Sequence, residues 1–164
     1  MERPIFKPVG TPVEHLDTPA LVVDLTLLER NIETLHAFFR QHAAKVRPHI
    51  ESHRCPAIAH KQLAAGGTVG GIGVTTVGQA EVFVAHGFTD MFVANEVVTP
   101  QKIGRLCALA RHAKMMVAVD NPTTVHDLSQ AAMTGGVTLS VVVELHTRGH
   151  GCGVEPGQPA VDLA

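Results

Sequence analysis

Arg47-Pro48-His49-Ile50-Glu51-Ser52-His53-Arg54-Cys55-Pro56 is the stretch on which the reading of the fold turns. His49, Glu51 and His53 alternate, so an extended chain would point all three side chains to one face. Pro56 sits where a helix should begin. A strand within 45–51 followed by a helix therefore reads as one strand-to-helix unit.

The residues beyond it repeat the pattern. Short β-branched runs precede helical stretches: 69–76 before 79–86, 91–96 before 100–113, and 115–120 before 123–132. A further strand, led by Val141-Val142-Val143, covers 138–146. Gly66-Gly67, Gly87 and Gly135-Gly136 fall where helices should stop, and Pro100 and Pro122 where they should start. Upstream, Leu28, Ile32, Leu35 and Phe39 share one face at helical spacing, which predicts a first helix over about 27–44. Residues 1–17, rich in proline, read as an extended arm before a single domain over 18–164. Alternation with near-continuous apolar strands implies an α/β fold, a parallel sheet covered by helices. Periodicity leaves open whether that sheet is doubly wound or closes into a barrel.

A resemblance decides between them. Thr18-Pro19-Ala20-Leu21-Val22-Val23-Asp24-Leu25, Leu28-Glu29-Arg30-Asn31-Ile32, the 47–54 stretch, Gly78-Gln79-Ala80-Glu81, Ala94-Asn95-Glu96-Val97-Val98 and Cys152-Gly153-Val154 occur in that order. Together they resemble motifs of the D-threonine aldolase and D-serine dehydratase-like enzymes, alanine-racemase-like barrels that use pyridoxal phosphate. The resemblance implies a TIM-type (β/α) barrel of the alanine racemase N-terminal kind. It also implies lyase chemistry, cleaving a carbon-carbon or carbon-oxygen bond of a small hydroxy acid or hydroxy amino acid. Five barrel strands are readable, counting 45–51, whereas a full barrel has eight. Relative to the family the sequence reads as truncated after about five βα units, and the family's second, strand-rich domain is absent too.

The family motif Arg-Pro-His-x-Lys-Thr-His-Lys carries the Schiff-base lysine at the position of Glu51, and a carboxylate cannot form an imine. The family cofactor is therefore not expected to be held through a lysine here. Lys45, Lys61, Lys102 and Lys114 lie at strand starts or on helices and read as surface residues. The resemblance marks two further departures: His146 where relatives commonly have Asp, and Gly151 where they have Arg. Strand ends carry the active sites of such barrels. Glu51, His146 and His150 there are one carboxylate and two imidazoles, a donor set suited to Zn, Mn or Fe. In that reading Glu51, His49 and His53 are the catalytic candidates, with His49 or His53 as general base. Histidines at a barrel mouth also serve merely as hydrogen-bonding groups, so a site without metal is the competing reading.

The remaining features are bounding. Gly66–Gly73 is glycine-rich but runs from helix to strand, the reverse of a dinucleotide fingerprint. His36, His42, His60, His86, His112 and His126 fall on helices or their ends and are expected to be solvated. A formal charge of -2 without a basic run argues against nucleic-acid binding. Met1-Glu2-Arg3-Pro4 begins no apolar signal core, and no apolar run is long enough to span a bilayer. Three dispersed cysteines, Cys55, Cys107 and Cys152, form no disulfide framework and point to a reducing, cytoplasmic setting. The alternative to an enzyme is a non-catalytic chain, either a fragment or a subunit that completes a partner's barrel. An oligomer or a partner chain is expected on that ground, beside a small-molecule substrate.

Overall fold

Side-chain caps fix where the helices start in the computed structural model, which describes residues 7–147 and 151–164. Asp24 accepts from the Leu27 amide and opens α1 (Leu25–Gln41), and α2 (Pro56–Ala64) follows with proline in its first turn. Thr76 opens α3 (Val77–Ala85), Thr99 opens α4 (Pro100–Leu109) and Asn121 opens α5 (Pro122–Gly135) in the same way as Asp24. Between them run β1 (Ile72–Val74), β2 (Asp90–Glu96), β3 (Lys114–Val119) and β4 (Ser140–Val143), and α6 (Gln158–Leu163) comes last.

The strands form one four-stranded sheet in the order β1-β2-β3-β4, and every pairing is parallel. Register decides which side chains share a face. Ile72 pairs with Met91, Val93 with Val117 and Val117 with Val141. Ile72, Val74, Met91, Val93, Met115, Val117 and Val119 are buried in one cluster with Phe83, Leu106 and Leu128 of the helices. That face is the helix-covered core. Gly73, Phe92, Met116, Ala118 and Val142 have the opposite parity and line the face that a barrel would enclose. Val117, at the centre of β3, is fully buried under the helices.

The first expected strand is the main departure. Residues 45–51 make only two isolated parallel bridges, Val46 to Thr68 ahead of β1 and His49 to Gly73 within it. Pro48 has no amide to donate, although its carbonyl accepts from Gly73 at 2.7 Å. The chain then turns into a 3₁₀ segment, Ile50–Ser52. An ion pair at the opposite end, Arg47 Nη1 to Asp90 Oδ1 at 2.5 Å, anchors the segment to the start of β2.

Smaller differences have local causes. Helix α1 stops at Gln41, before the expected end at residue 44. Lys45 Nζ folds back onto the carbonyls of Phe39 at 2.8 Å and His42 at 2.7 Å. Leu35 is exposed, and the buried partner of Ile32 is His36 one turn on. His36, expected in solvent, is only 1% exposed, with Nδ1 2.6 Å from the Gly66 carbonyl. Gly67 is needed beside it: at φ +66° a Cβ there would lie 2.8 Å from the Arg40 amide nitrogen. The expected strand over 138–146 is ordered as β4 only for its middle, yet the Glu144 amide still donates to Val119 at 2.9 Å. Before α1, the described residues of the arm hold one short 3₁₀ turn, Val13–His15. No helix among the described residues is long and apolar enough to cross a membrane.

Candidate functional site at the carboxyl ends of the strands

Parallel strands bring their carboxyl ends to one edge of the sheet, and the charged residues there are acidic. Thr75 follows β1, Glu96 ends β2, Asp120 follows β3 and Glu144 follows β4. Asp120 and Glu144 continue the inner parity of their strands. Glu96, four residues on from inner-facing Phe92, shares that parity too, although the β2–β3 register shifts between Val93 and Glu96 so that Glu96 pairs with Ala118.

Glu51 is held from three sides. Its Oε2 accepts from Thr75 Oγ1 at 2.9 Å and from Gln79 Nε2 at 2.7 Å, and Arg54 pairs with its Oε1. Gln79, Arg54 and Thr75, in that order, hold its pKa down, from the ordinary 4.5 to about 2. Glu51 is therefore an ionised, oriented carboxylate at neutral pH. Its folded-state pKa is depressed, so its contribution to stability is full above pH 4.5 and is lost as pH falls toward 2. Thermal melts of wild type and Glu51→Gln between those pH values should show a steeper loss for the wild type. Parallel losses would mean that the three donors do not favour the charged form.

The two neighbouring histidines do not share a face with Glu51, because the 3₁₀ turn breaks the expected alternation. His53 accepts from the Cys55 amide through Nδ1 at 3.0 Å. Its Nε2 lies 3.2 Å from Gln62 Oε1 on α2, which makes Nε2 the protonated nitrogen. Both ring nitrogens are thus engaged, leaving His53 no free lone pair for a base. His49 is exposed, with its ring against Gly73 and its Nδ1 accepting from the Glu51 amide at 3.4 Å. It is the better placed of the two base candidates.

A second group gathers around β3 and β4. Burial, then the neighbouring Glu96 and Asp120, push Glu144 above the ordinary carboxylate range. Cys152 hydrogen-bonds Glu96, which with the nearby carboxylates raises its thiol pKa. The loop that carries it returns to β4 through the Val154 amide, 2.9 Å from the Glu144 carbonyl, and the Gly153 amide reaches Asp120 Oδ2 at 3.3 Å. His146 places Nδ1 3.0 Å from Glu155 Oε1. His150, the third expected metal ligand, lies outside the described residues. Among the described residues no three His, Cys, Asp or Glu side chains converge as a metal site.

Sequence reasoning missed Thr75 and Gln79. The signal was there for Gln79, since Thr76-x-x-Gln79 is a capping box. All three cysteines are free, and the lysines at 45, 61, 102 and 114 lie on the exterior, as expected.

A parallel α/β sheet covered by helices on one face, with a polar cluster at its carboxyl edge, is the arrangement of part of an α/β barrel. The model of the alanine racemase N-terminal domain matches residues 23–164, so the chain belongs to that family, the fold type III pyridoxal-phosphate class. It is 40% identical over 155 residues to a D-threonine aldolase of Arthrobacter sp., covering 94% of this chain and 40% of that protein. A 3-hydroxy-D-aspartate aldolase of Paracoccus denitrificans is 35% identical over 156 residues, with the same two coverages of 94% and 40%. The crystal structure of D-threonine aldolase from Filomicrobium marinum superposes with a TM-score of 0.86 at 46% identity. That match covers 90% of this chain and 39% of that one. The chain thus spans about 40% of the length of the relatives it matches.

Pyridoxal phosphate does not fit position 51. The side chain there is a carboxylate, it is ionised, and its oxygens are occupied by donors that would not release it as a nucleophile. A phosphate brought to this edge would also meet Glu51, Glu96 and Asp120.

Proposed function

We propose that this chain is a lyase-type barrel domain acting on a small hydroxy acid or hydroxy amino acid, with a divalent metal taking the part of the Schiff base. The observation that carries this reading is Glu51, an ionised and oriented carboxylate at the catalytic edge, in the place where the family has its lysine. The substrate class rests on the aldolase activities named for the relatives. Zn, Mn or Fe would take an oxygen of Glu51 and the imidazoles of His146 and His150, and would polarise a substrate oxygen. To bind it, Glu51 would exchange its exposed partner Arg54, and His146 would exchange Glu155. His49, whose ring is open to solvent, is the general base in this scheme. Three free cysteines suit a reducing cytoplasm.

The test is metal content. Elemental analysis of the purified chain should find a divalent metal that Glu51→Ala and His146→Ala each reduce several-fold. Equal content in all three proteins rejects the site. A second reading, a non-catalytic subunit that completes a partner's barrel, is favoured by the exposed valines of β4. Its expected behaviour in solution is argued in the Discussion.

A further inference from the structure

Gln79 sits at the junction of two structures that are usually independent, a helix cap and a site carboxylate. It is the third residue of α3, and its amide oxygen accepts from the backbone amides of Thr75 at 2.8 Å and Thr76 at 3.3 Å. Thr76 answers through Oγ1, accepting from the Gln79 amide at 3.2 Å. Two backbone donors therefore fix which end of the side-chain amide is oxygen. The nitrogen end is forced the other way, onto Glu51 Oε2 at 2.7 Å.

For the cap alone, glutamate would serve as well as glutamine, because only an acceptor oxygen is used. For the contact with Glu51 it would not. A carboxylate at 79 would bring a second negative oxygen to within hydrogen-bond distance of the first, with no proton between them. Only a residue that accepts at one end and donates at the other satisfies both neighbours.

We propose that Gln79 is the positioning residue of the site, coupling the N-terminal cap of α3 to the charge and orientation of Glu51. Residues 51 and 79 are thus a matched pair, carboxylate with amide, and neither can change charge alone. Thr75 sits within the same loop: its amide donates to Gln79 and its hydroxyl to Glu51. Arg54 approaches the other Glu51 oxygen from the solvent side. The pairing concerns position 51 itself and holds whether or not the chain is a lyase.

The full-length chain is compared with Gln79→Glu, Glu51→Gln and the double variant that exchanges the two groups. Thermal unfolding at pH 7 and the NMR signals of the Thr75 and Thr76 amides, which report on the α3 cap, are the readouts. In Gln79→Glu the cap amides should keep their acceptor while the melting temperature falls, because two carboxylates then meet with no donor between them. The exchanged pair, amide at 51 and carboxylate at 79, should recover most of the lost melting temperature. If Gln79→Glu does not fold while the exchanged pair does, the coupling is upheld. A Gln79→Glu protein with an unchanged melting temperature would show that residue 79 is a cap and nothing more. An exchanged pair as unstable as Gln79→Glu alone would equally overturn the proposal.

Discussion

Mixed with excess pyridoxal phosphate, the purified chain is expected to develop no internal-aldimine absorbance band, and borohydride is expected to fix no stoichiometric adduct on any lysine. The effect is all or none, because an imine needs an amine and position 51 offers an ionised carboxylate. The lysines are badly placed to substitute. Lys45 is folded onto the carboxyl end of α1, Lys61 pairs with Glu29, and Lys114 begins β3 at the opposite end of the strand from Asp120. Lys102 is exposed on the outer helix α4. It stands in the first turn of that helix, beside the carboxyl edge but exposed to solvent, and none of these four lysines occupies position 51. Peptide mapping that finds one lysine fully modified after reduction would contradict this arrangement and restore Schiff-base chemistry to the chain.

The sequence carried the sheet better than the site, for a physical reason. Helix starts depend on one or two residues, and Thr76, Thr99 and Asn121 are readable as caps without knowing the fold. Strand existence follows from short apolar runs such as Val141-Val142-Val143. What failed was extrapolating alternation past a break. His49, Glu51 and His53 share a face only if the backbone stays extended, and it enters a 3₁₀ turn at Ile50. His36 failed for a related reason: helical spacing put the polar ring beside apolar Ile32. Whether such a ring is buried depends on a carbonyl from a distant turn, that of Gly66. The acidic edge formed by Glu96, Asp120 and Glu144 is a tertiary product, assembled by the parallel pairing of β2, β3 and β4. The substitution at 51 was visible at once in the motif. Its partner at 79 emerged only with the hydrogen bonds.

The exposed edge of β4 is expected to drive association. The other edge of the sheet is partly closed, since the 45–49 segment bridges to Thr68 and Gly73 alongside β1. β4 has β3 on one side and no strand of the described residues on the other. Its outward amides and carbonyls are a pairing template, and Val141 and Val142 beside them are 49% and 39% exposed. The extended stretch ahead of α1 adds Leu21, Val22 and Val23, all exposed. Apolar edge of this kind is covered in stable proteins by more sheet, whether supplied by a second copy or by another polypeptide. Light scattering of the chain alone should therefore report an oligomer or progressive precipitation, and thermal unfolding should be broad. Val142→Lys places a charge on the inner face at that edge and should shift the distribution toward monomer, because pairing would then bury an uncompensated ammonium. A monodisperse wild-type monomer with a sharp transition would show that β4 is satisfied as it stands, and would remove the ground for a barrel-completing partner.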